Sequence, residues 1–233
     1  LAQQTVVVTG AAQGLGHAIA EAFCQSGSQV IALDIDSDGL ASLKETWGAQ
    51  VICHTVDLAA ATTQVIDEIV SQASHIDTLI HNAAILHPEP FETLTFERWQ
   101  ATVNVGLQAA FLLTKAVWPG MKAAGGGVIV YVSSRSGVEG FVDESAYCAT
   151  KHGLEGLMKA LALEGASHNI CVCTITPGMY MHTPMSERNY PPELKTRWVA
   201  PSALAPAFLK LAERRMAVNG QRLSAWELSQ PGE

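Results

Sequence analysis

Short apolar runs alternate with helix-length stretches along the whole sequence, and that alternation limits the fold more than any other feature. Strand-like runs fall at 5–9, 29–34, 50–55, 77–81, 127–133 and 170–176. Helical stretches are expected between them at 14–26, 38–47, 60–73, 95–118 and 145–165, with a final helix–strand pair near 201–226. Strands that alternate with helices form right-handed βαβ units, so the expected fold class is α/β: a doubly wound parallel sheet with helices on both faces. Strands buried on both faces are apolar almost throughout, and the composition agrees, at 48% hydrophobic and 15% charged. No stretch reads as a linker, so residues 1–233 are read as a single domain. The proline-rich segment 177–200 follows a strand end, where a substrate lid would sit.

Several function classes are disfavoured at once. The net charge is −8 and no basic run occurs, which argues against a nucleic-acid partner. The longest apolar runs, such as Val128-Ile129-Val130-Tyr131-Val132, are strand-length, so no membrane span is expected. No leader is visible at Leu1-Ala2-Gln3-Gln4. The five cysteines lack spaced CxxC pairs, which fits a reducing, cytoplasmic setting. Cys171 and Cys173 alternate within an apolar run and read as buried strand thiols. His54, His75 and His168 have no metal-ligand spacing, so no metal site is expected.

The first strand-to-helix turn, VVVTGAAQGLGHAIAEAF, carries Gly10, Gly14 and Gly16. Backbone N–H groups and a helix N-terminus at such a turn can face an anion, and glycine lets a pyrophosphate approach. The second strand ends in VIALDID, which puts Asp34 near its carboxyl edge. A carboxylate there can accept both ribose hydroxyls of an adenosine and repels a 2′-phosphate. No lysine or arginine lies nearby, so NAD is expected in preference to NADP.

The stretch SAYCATKHG places Tyr147 and Lys151 at i and i+4 of an expected helix, on one face. A free phenol has a pKa near 10, too high for an efficient base at neutral pH. A neighbouring ammonium, joined by a positive nicotinamide ring, is expected to lower it. His152 faces another side of that helix and is read as structural.

With these segments in order, the chain resembles the short-chain dehydrogenase/reductase family along essentially its full length. TGAAQGLG (9–16) resembles the family's glycine motif and brings Gln13 and Leu15 to the cofactor alongside Gly10, Gly14 and Gly16. VDL (56–58) resembles the adenine-contacting segment, with Asp57 and Leu58. HNAA (81–84) stands where the family usually has N-N-A-G, so Asn82, Ala83 and Ala84 are expected at the cofactor, with His81 and Ala84 as departures. VNVG (103–106) supplies Asn104, and VSSRSG (132–137) with YCATK (147–151) resembles the catalytic serine and Y-x-x-x-K segments. TPG (176–178) resembles the turn beside the nicotinamide, with Pro177 and Gly178. Thr183, a candidate carboxamide contact, lies one residue later than the common spacing.

The resemblance implies a Rossmann-type fold and reversible, NAD-dependent hydride transfer between a secondary alcohol and a ketone. Tyr147 would carry the proton. Lys151 would bind the nicotinamide ribose as well as act on the phenol, and Asn104 would help anchor a water chain to Lys151. The family spacing from serine to tyrosine selects Ser134 over Ser133 as the substrate-oxygen contact. Residues near 82, 134 and 178 give a mildly apolar impression of the substrate pocket, and Met179, Tyr180, Met181, His182 and Met185 occupy the expected lid. The family also implies a homodimer or homotetramer. Two alternatives stand beside this reading: a non-catalytic NAD-binding sensor or interaction protein on the same fold, and an epimerase or dehydratase that retains its NAD.

Overall fold

Residues 4–230 are described in the computed structural model; residues 1–3, which carry the expected absence of a leader, lie outside them. The strands are β1 (Thr5–Thr9), β2 (Gln29–Asp34), β3 (Val51–Thr55), β4 (Thr78–His81), β5 (Gly127–Val132), β6 (Ile170–Thr176) and β7 (Arg222–Ser224). The main helices are α1 (Gly14–Gln25), α2 (Ser37–Trp47), α3 (Thr63–Val70), α4 (Phe96–Val103), α5 (Ala109–Ala123), α6 (Ser145–Ala166), α7 (Pro184–Asn189), α8 (Ala205–Arg214) and α9 (Ala225–Ser229).

The strands form one seven-stranded sheet in the order β3-β2-β1-β4-β5-β6-β7. All neighbouring pairs are parallel. The chain winds outward from β1 to β3, then returns to β4 and winds the other way. The order therefore reverses between β1 and β4, and the crevice outside their carboxyl ends is where a doubly wound sheet takes a ligand.

Alternate strand residues feed two apolar layers, as the two-residue period of a strand requires. Val6, Val8, Val30, Ala32 and Val130 face α1, α2 and α8, where Ile19, Phe23, Leu40, Leu43 and Phe208 are buried. Val7, Ile31, Leu33, Leu79 and Ile129 face α3, α5 and α6, against Ile66, Leu113, Val117, Leu154 and Met158. Cys171 and Cys173 are buried free thiols on the first of these faces.

Two expected elements come out differently. The single helix over 95–118 is α4 and α5 joined by a π-turn at Asn104–Gln108. The helix also runs past Pro119, because Val117 and Met121 are buried against the sheet and that packing outweighs the proline's missing N–H. Segment 177–200 is built rather than loose. Thr183 caps α7, Met181 bridges to Val199, and Asn189 Nδ2 donates to Leu86 O at 3.1 Å.

Candidate active site

At the β1–β4 switch point the glycine turn folds back on itself. Gly10 has φ +66° and donates its N–H to Leu33 O (2.8 Å), joining the turn to β2. A Cβ on Gly16 would lie 2.0 Å from Gly10 O and 2.6 Å from Asn82 Nδ2, so α1 can start this close to the turn only with glycine there. Asn82 Nδ2 donates to Thr9 O (3.1 Å) and Gly10 O (3.3 Å), bracing the turn from the end of β4. Asp34 closes it from β2: Oδ2 accepts from Ala12 N (2.9 Å) and Oδ1 from Asp36 N (3.0 Å).

These residues line a cleft of about 300 Å³. Gly10, Gln13, Gly14 and Leu15 border one end, with Asp34, Asp57 and Leu58 beside them. Asn82, Ala83 and Ala84 form the floor, and Tyr147, Lys151, Pro177 and Thr183 the far end. Gly16 and Gly178 stand behind the lining. Gly178 has φ +75° and a Cβ there would meet Ser224 Oγ at 2.3 Å, while Trp226 N donates to Pro177 O (3.0 Å). The C-terminal β7–α9 corner thus holds the Pro177–Gly178 turn. Thr183 Oγ1 accepts from Ser186 N (3.1 Å) as the cap of α7, and its methyl packs toward Gly14.

Tyr147 and Lys151 rise from α6 at the far end, with Lys151 Nζ 5.4 Å from the Tyr147 ring centroid. Lys151 is buried and donates to Val132 O at 2.7 Å. Desolvation pulls its pKa down to about 8, opposed by the charge of Glu155. The Tyr147 phenol moves the other way from the expected fall. Burial raises it above the ordinary tyrosine value, the neighbouring Tyr190 adds to the rise, and a hydrogen bond with Ser134 counters part of it. In the protein alone burial dominates the phenol, so a lowered phenol calls for a further positive charge.

The adjacent serines, just past the end of β5, take different partners. Ser134 Oγ accepts from Ser136 N at 3.2 Å and acts on the Tyr147 phenol, but lines neither cavity. Ser133 is buried, lines the cleft and donates to Glu155.

Asn104 opens the π-turn, and its Nδ2 donates to Ala59 O at 2.9 Å, toward the loop after β3 rather than toward Lys151. The next residue, Val105, lines the cleft. A π-turn often marks a functional position in a helix. Here it meets His81, which the sequence had marked as a departure. Thr9 Oγ1 accepts from Asn82 N and Ala83 N, both at 3.0 Å, so its proton points to His81 Nδ1 at 3.1 Å. His81 Nε2–H therefore donates to Gly106 O at 3.1 Å. Burial and the nearby Lys151 charge lower the His81 pKa to about 3, so the ring is neutral. His81 joins the end of β1, the cofactor-side loop after β4 and the π-turn.

A second cavity of about 840 Å³ adjoins the cleft, and Ala84, Ile85, Tyr147, Met185 and Arg188 border both. Its walls carry Glu89, Arg98, Asp143, Glu144 and Arg188 among apolar residues such as Ile85, Leu86, Leu94 and Met185, so charged groups stand in a mildly apolar pocket. Arg98 pairs with Glu89, and Ser136 Oγ donates to Glu144 Oε2 at 2.9 Å. These residues come from loops and from α4 and α7, distant in sequence, and no local motif marks them. Of the lid residues, Met181 and Met185 face the cleft. Tyr180 packs edge-on against Tyr190 (centroids 5.4 Å apart) and His182 against Trp198 (5.3 Å), so these rings hold the lid together.

The profile described as short chain dehydrogenase matches residues 4–193. The chain belongs to the short chain dehydrogenase family. It is thereby an oxidoreductase. It is 33% identical to D-threitol dehydrogenase of Mycolicibacterium smegmatis over 75% of this chain and 69% of that protein. Among solved structures it resembles a Beutenbergia cavernae protein provisionally named an NAD(P) dependent gluconate 5-dehydrogenase, with NADP bound at low occupancy. The TM-score is 0.88 at 30% identity, covering 97% of this chain and 98% of the other. Carveol dehydrogenase of Mycobacterium avium, in complex with NAD, matches with a TM-score of 0.84 at 26% identity over 96% of each chain.

A short chain dehydrogenase works with a nicotinamide dinucleotide, and this cleft fits one on its own geometry. The turn around Gly10 and Gly16 has backbone where a side chain would intrude, and Asp34 lines the cleft with both oxygens already oriented by backbone N–H groups. Among the described residues no helix is long and apolar enough to cross a membrane.

Proposed function

We propose that this short chain dehydrogenase uses NAD(H) to interconvert a secondary alcohol and its ketone, with residues 1–233 acting as one dinucleotide-binding and catalytic unit. The observation that carries the reading is Tyr147 at the junction of the two cavities, with the buried Lys151 one helical turn on and its Nζ 5.4 Å from the phenol ring. NAD, when bound, would supply the hydride acceptor for oxidation, and NADH the hydride donor for reduction. Every other task falls to the chain. Tyr147 Oη takes the hydroxyl proton of the substrate, or gives one to the carbonyl oxygen. Ser134 Oγ orients that oxygen. Lys151 supplies the positive charge that offsets the burial of the phenol and holds the nicotinamide ribose. Asn104 fixes the π-turn that faces this corner.

The preference for NAD rests on Asp34. Its carboxylate lies where an adenosine ribose is received, and Asp36 and Asp38 follow it at the start of α2. A 2′-phosphate would meet negative charge there. Gly10, Gln13, Gly14, Leu15 and Gly16 would cradle the pyrophosphate, Asp57 and Leu58 the adenine, and Asn82, Ala83, Ala84, Pro177, Gly178 and Thr183 the nicotinamide half.

The second cavity favours a polar, hydroxyl-bearing substrate, because Glu89, Arg98, Asp143, Glu144 and Arg188 would be left poorly solvated by an acyl chain. The likeness to D-threitol dehydrogenase supports the same class. A panel of polyols, hydroxy acids and simple secondary alcohols with NAD, read as NADH absorbance, tests the proposal. Oxidation of at least one polyol that is lost in Tyr147→Phe is expected. An inert panel, with the ketones inert as well, would favour a non-catalytic NAD-binding protein.

A further inference from the structure

Tyr147, Lys151 and Glu155 follow one another at four-residue intervals on α6, so they share one face of the helix. Glu155 is 4% exposed, and a carboxylate is seldom buried so deeply without partners. It has three. Ser133 Oγ donates to Oε1, Thr174 Oγ1 donates to Oε2 at 2.9 Å, and Arg222 Nε donates to Oε1 at 3.2 Å. Arg222 Nη2 also reaches Ser134 O at 3.0 Å. The ends of β5, β6 and β7 thus converge on one carboxylate, a turn of helix below a lysine that is 2% exposed.

We propose that Glu155 is a positioning residue that acts through Lys151: its clamped carboxylate keeps the buried ammonium protonated, and Arg222 tempers that charge. The proposal extends the role given above to Lys151. The ionisable groups facing Lys151 and Glu155 are Tyr147 on α6 itself, His81 on β4 and Arg222 on β7, while Glu144, Cys148 and Tyr190 act on Tyr147 at the other end of the stripe. His81 is neutral and adds no charge of its own. Arg135, in the turn packed on α6, is paired with Glu139, and Arg98 on α4 with Glu89. From β6 the neighbour is the Thr174 hydroxyl. Glu155 is therefore the anion that offsets the desolvation of Lys151, whose pKa stands at about 8 under those two influences. Without it, desolvation acts unopposed and the amine loses its proton closer to neutral pH.

The test reads Lys151 directly and needs neither substrate nor cofactor, so it stands apart from the dehydrogenase reading. Protein labelled with ¹³C at lysine Cε is titrated by NMR, and the Lys151 signal is assigned by its loss in Lys151→Arg. Glu155→Gln should lower the Lys151 midpoint by at least about one pH unit, the lower end of what loss of a nearby opposite charge produces. Arg222→Gln, at a half-exposed position, should raise it. A purely structural role for the cluster would lower thermal stability and leave both midpoints in place. Unmoved midpoints, or shifts of the same sign in the two variants, overturn the proposal. Should Glu155→Gln fail to fold, Arg222→Gln decides alone, and a midpoint that does not rise refutes it.

Discussion

Tyr147→Phe separates chemistry from architecture at this site. The substitution keeps the ring against Lys151 and removes only the hydroxyl, on which Ser134 acts. Ser134 Oγ is not orphaned by the change, since it still accepts from Ser136 N and meets Ser136 Oγ at 3.3 Å. The structural loss is then at most one hydrogen bond, about 1 kcal/mol, or no more than roughly a 2–4 °C fall in Tm for a chain of this size. Removing a positioned acid–base group should instead cut turnover by at least about 10²-fold, equivalent to ~2.7 kcal/mol of transition-state stabilisation. NADH affinity should hold, because the glycine turn, Asp34 and Lys151 are untouched. Thermal melts, NADH fluorescence titration and steady-state rates on an active polyol measure the three quantities on one preparation. Near-normal turnover on a confirmed substrate would refute Tyr147 as the proton carrier and leave Tyr147 and Lys151 as neighbours on a buried helix face.

NAD(H) should bind more tightly than NADP(H) in fluorescence titrations. The pair Asp34→Ser and Ile35→Arg should narrow or invert that preference, since Ile35 lines the cleft and is 66% exposed; tighter NADP(H) binding by the unaltered protein would remove Asp34 as the determinant. Ser134→Ala should lower kcat with cofactor affinity kept, whereas Ser133→Ala, which strips a donor from Glu155, should appear mainly as a lower Tm; the reverse ranking in kinetics and melts would reassign the serines. His81 has a folded pKa of about 3 against 6.5 for the free side chain, so the unfolded chain takes up a proton that the folded one refuses. The stability it contributes is complete above pH 6.5 and is lost as pH falls from 6.5 toward about 3. His81→Asn should flatten the dependence of Tm on pH in that window, and an unchanged slope would count against a neutral buried His81.

Features with a local cause could be read from the sequence. The alternation of Val6-Val7-Val8 or Val128-Ile129-Val130 with amphipathic stretches follows from burial on two faces, and two apolar layers are what the sheet contains. Gly10, Asp34, Tyr147 and Lys151 were legible because each owes its place to a turn, a strand end or a helical repeat within its own segment. Ser134 is set apart from Ser133 only by the spacing to Tyr147 that the family resemblance implies, whereas in the structure it is Ser133 that lines the cleft. Properties that depend on meetings between segments were not legible. The raised phenol of Tyr147 comes from burial and from Tyr190, which reaches it from the end of α7. The substrate-side wall joins Glu89, Arg98, Asp143 and Arg188 from four separate stretches, and Glu155 draws its partners from three strand ends. The π-turn shows the same limit at one place. The spacing of apolar residues over 95–118 reads as continuous helix, but Gly106 lies where Thr150 Cγ2 would be 2.3 Å from a Cβ, and its carbonyl accepts from His81. The deviation answers to α6 and β4, so it becomes visible only once those elements have packed against it.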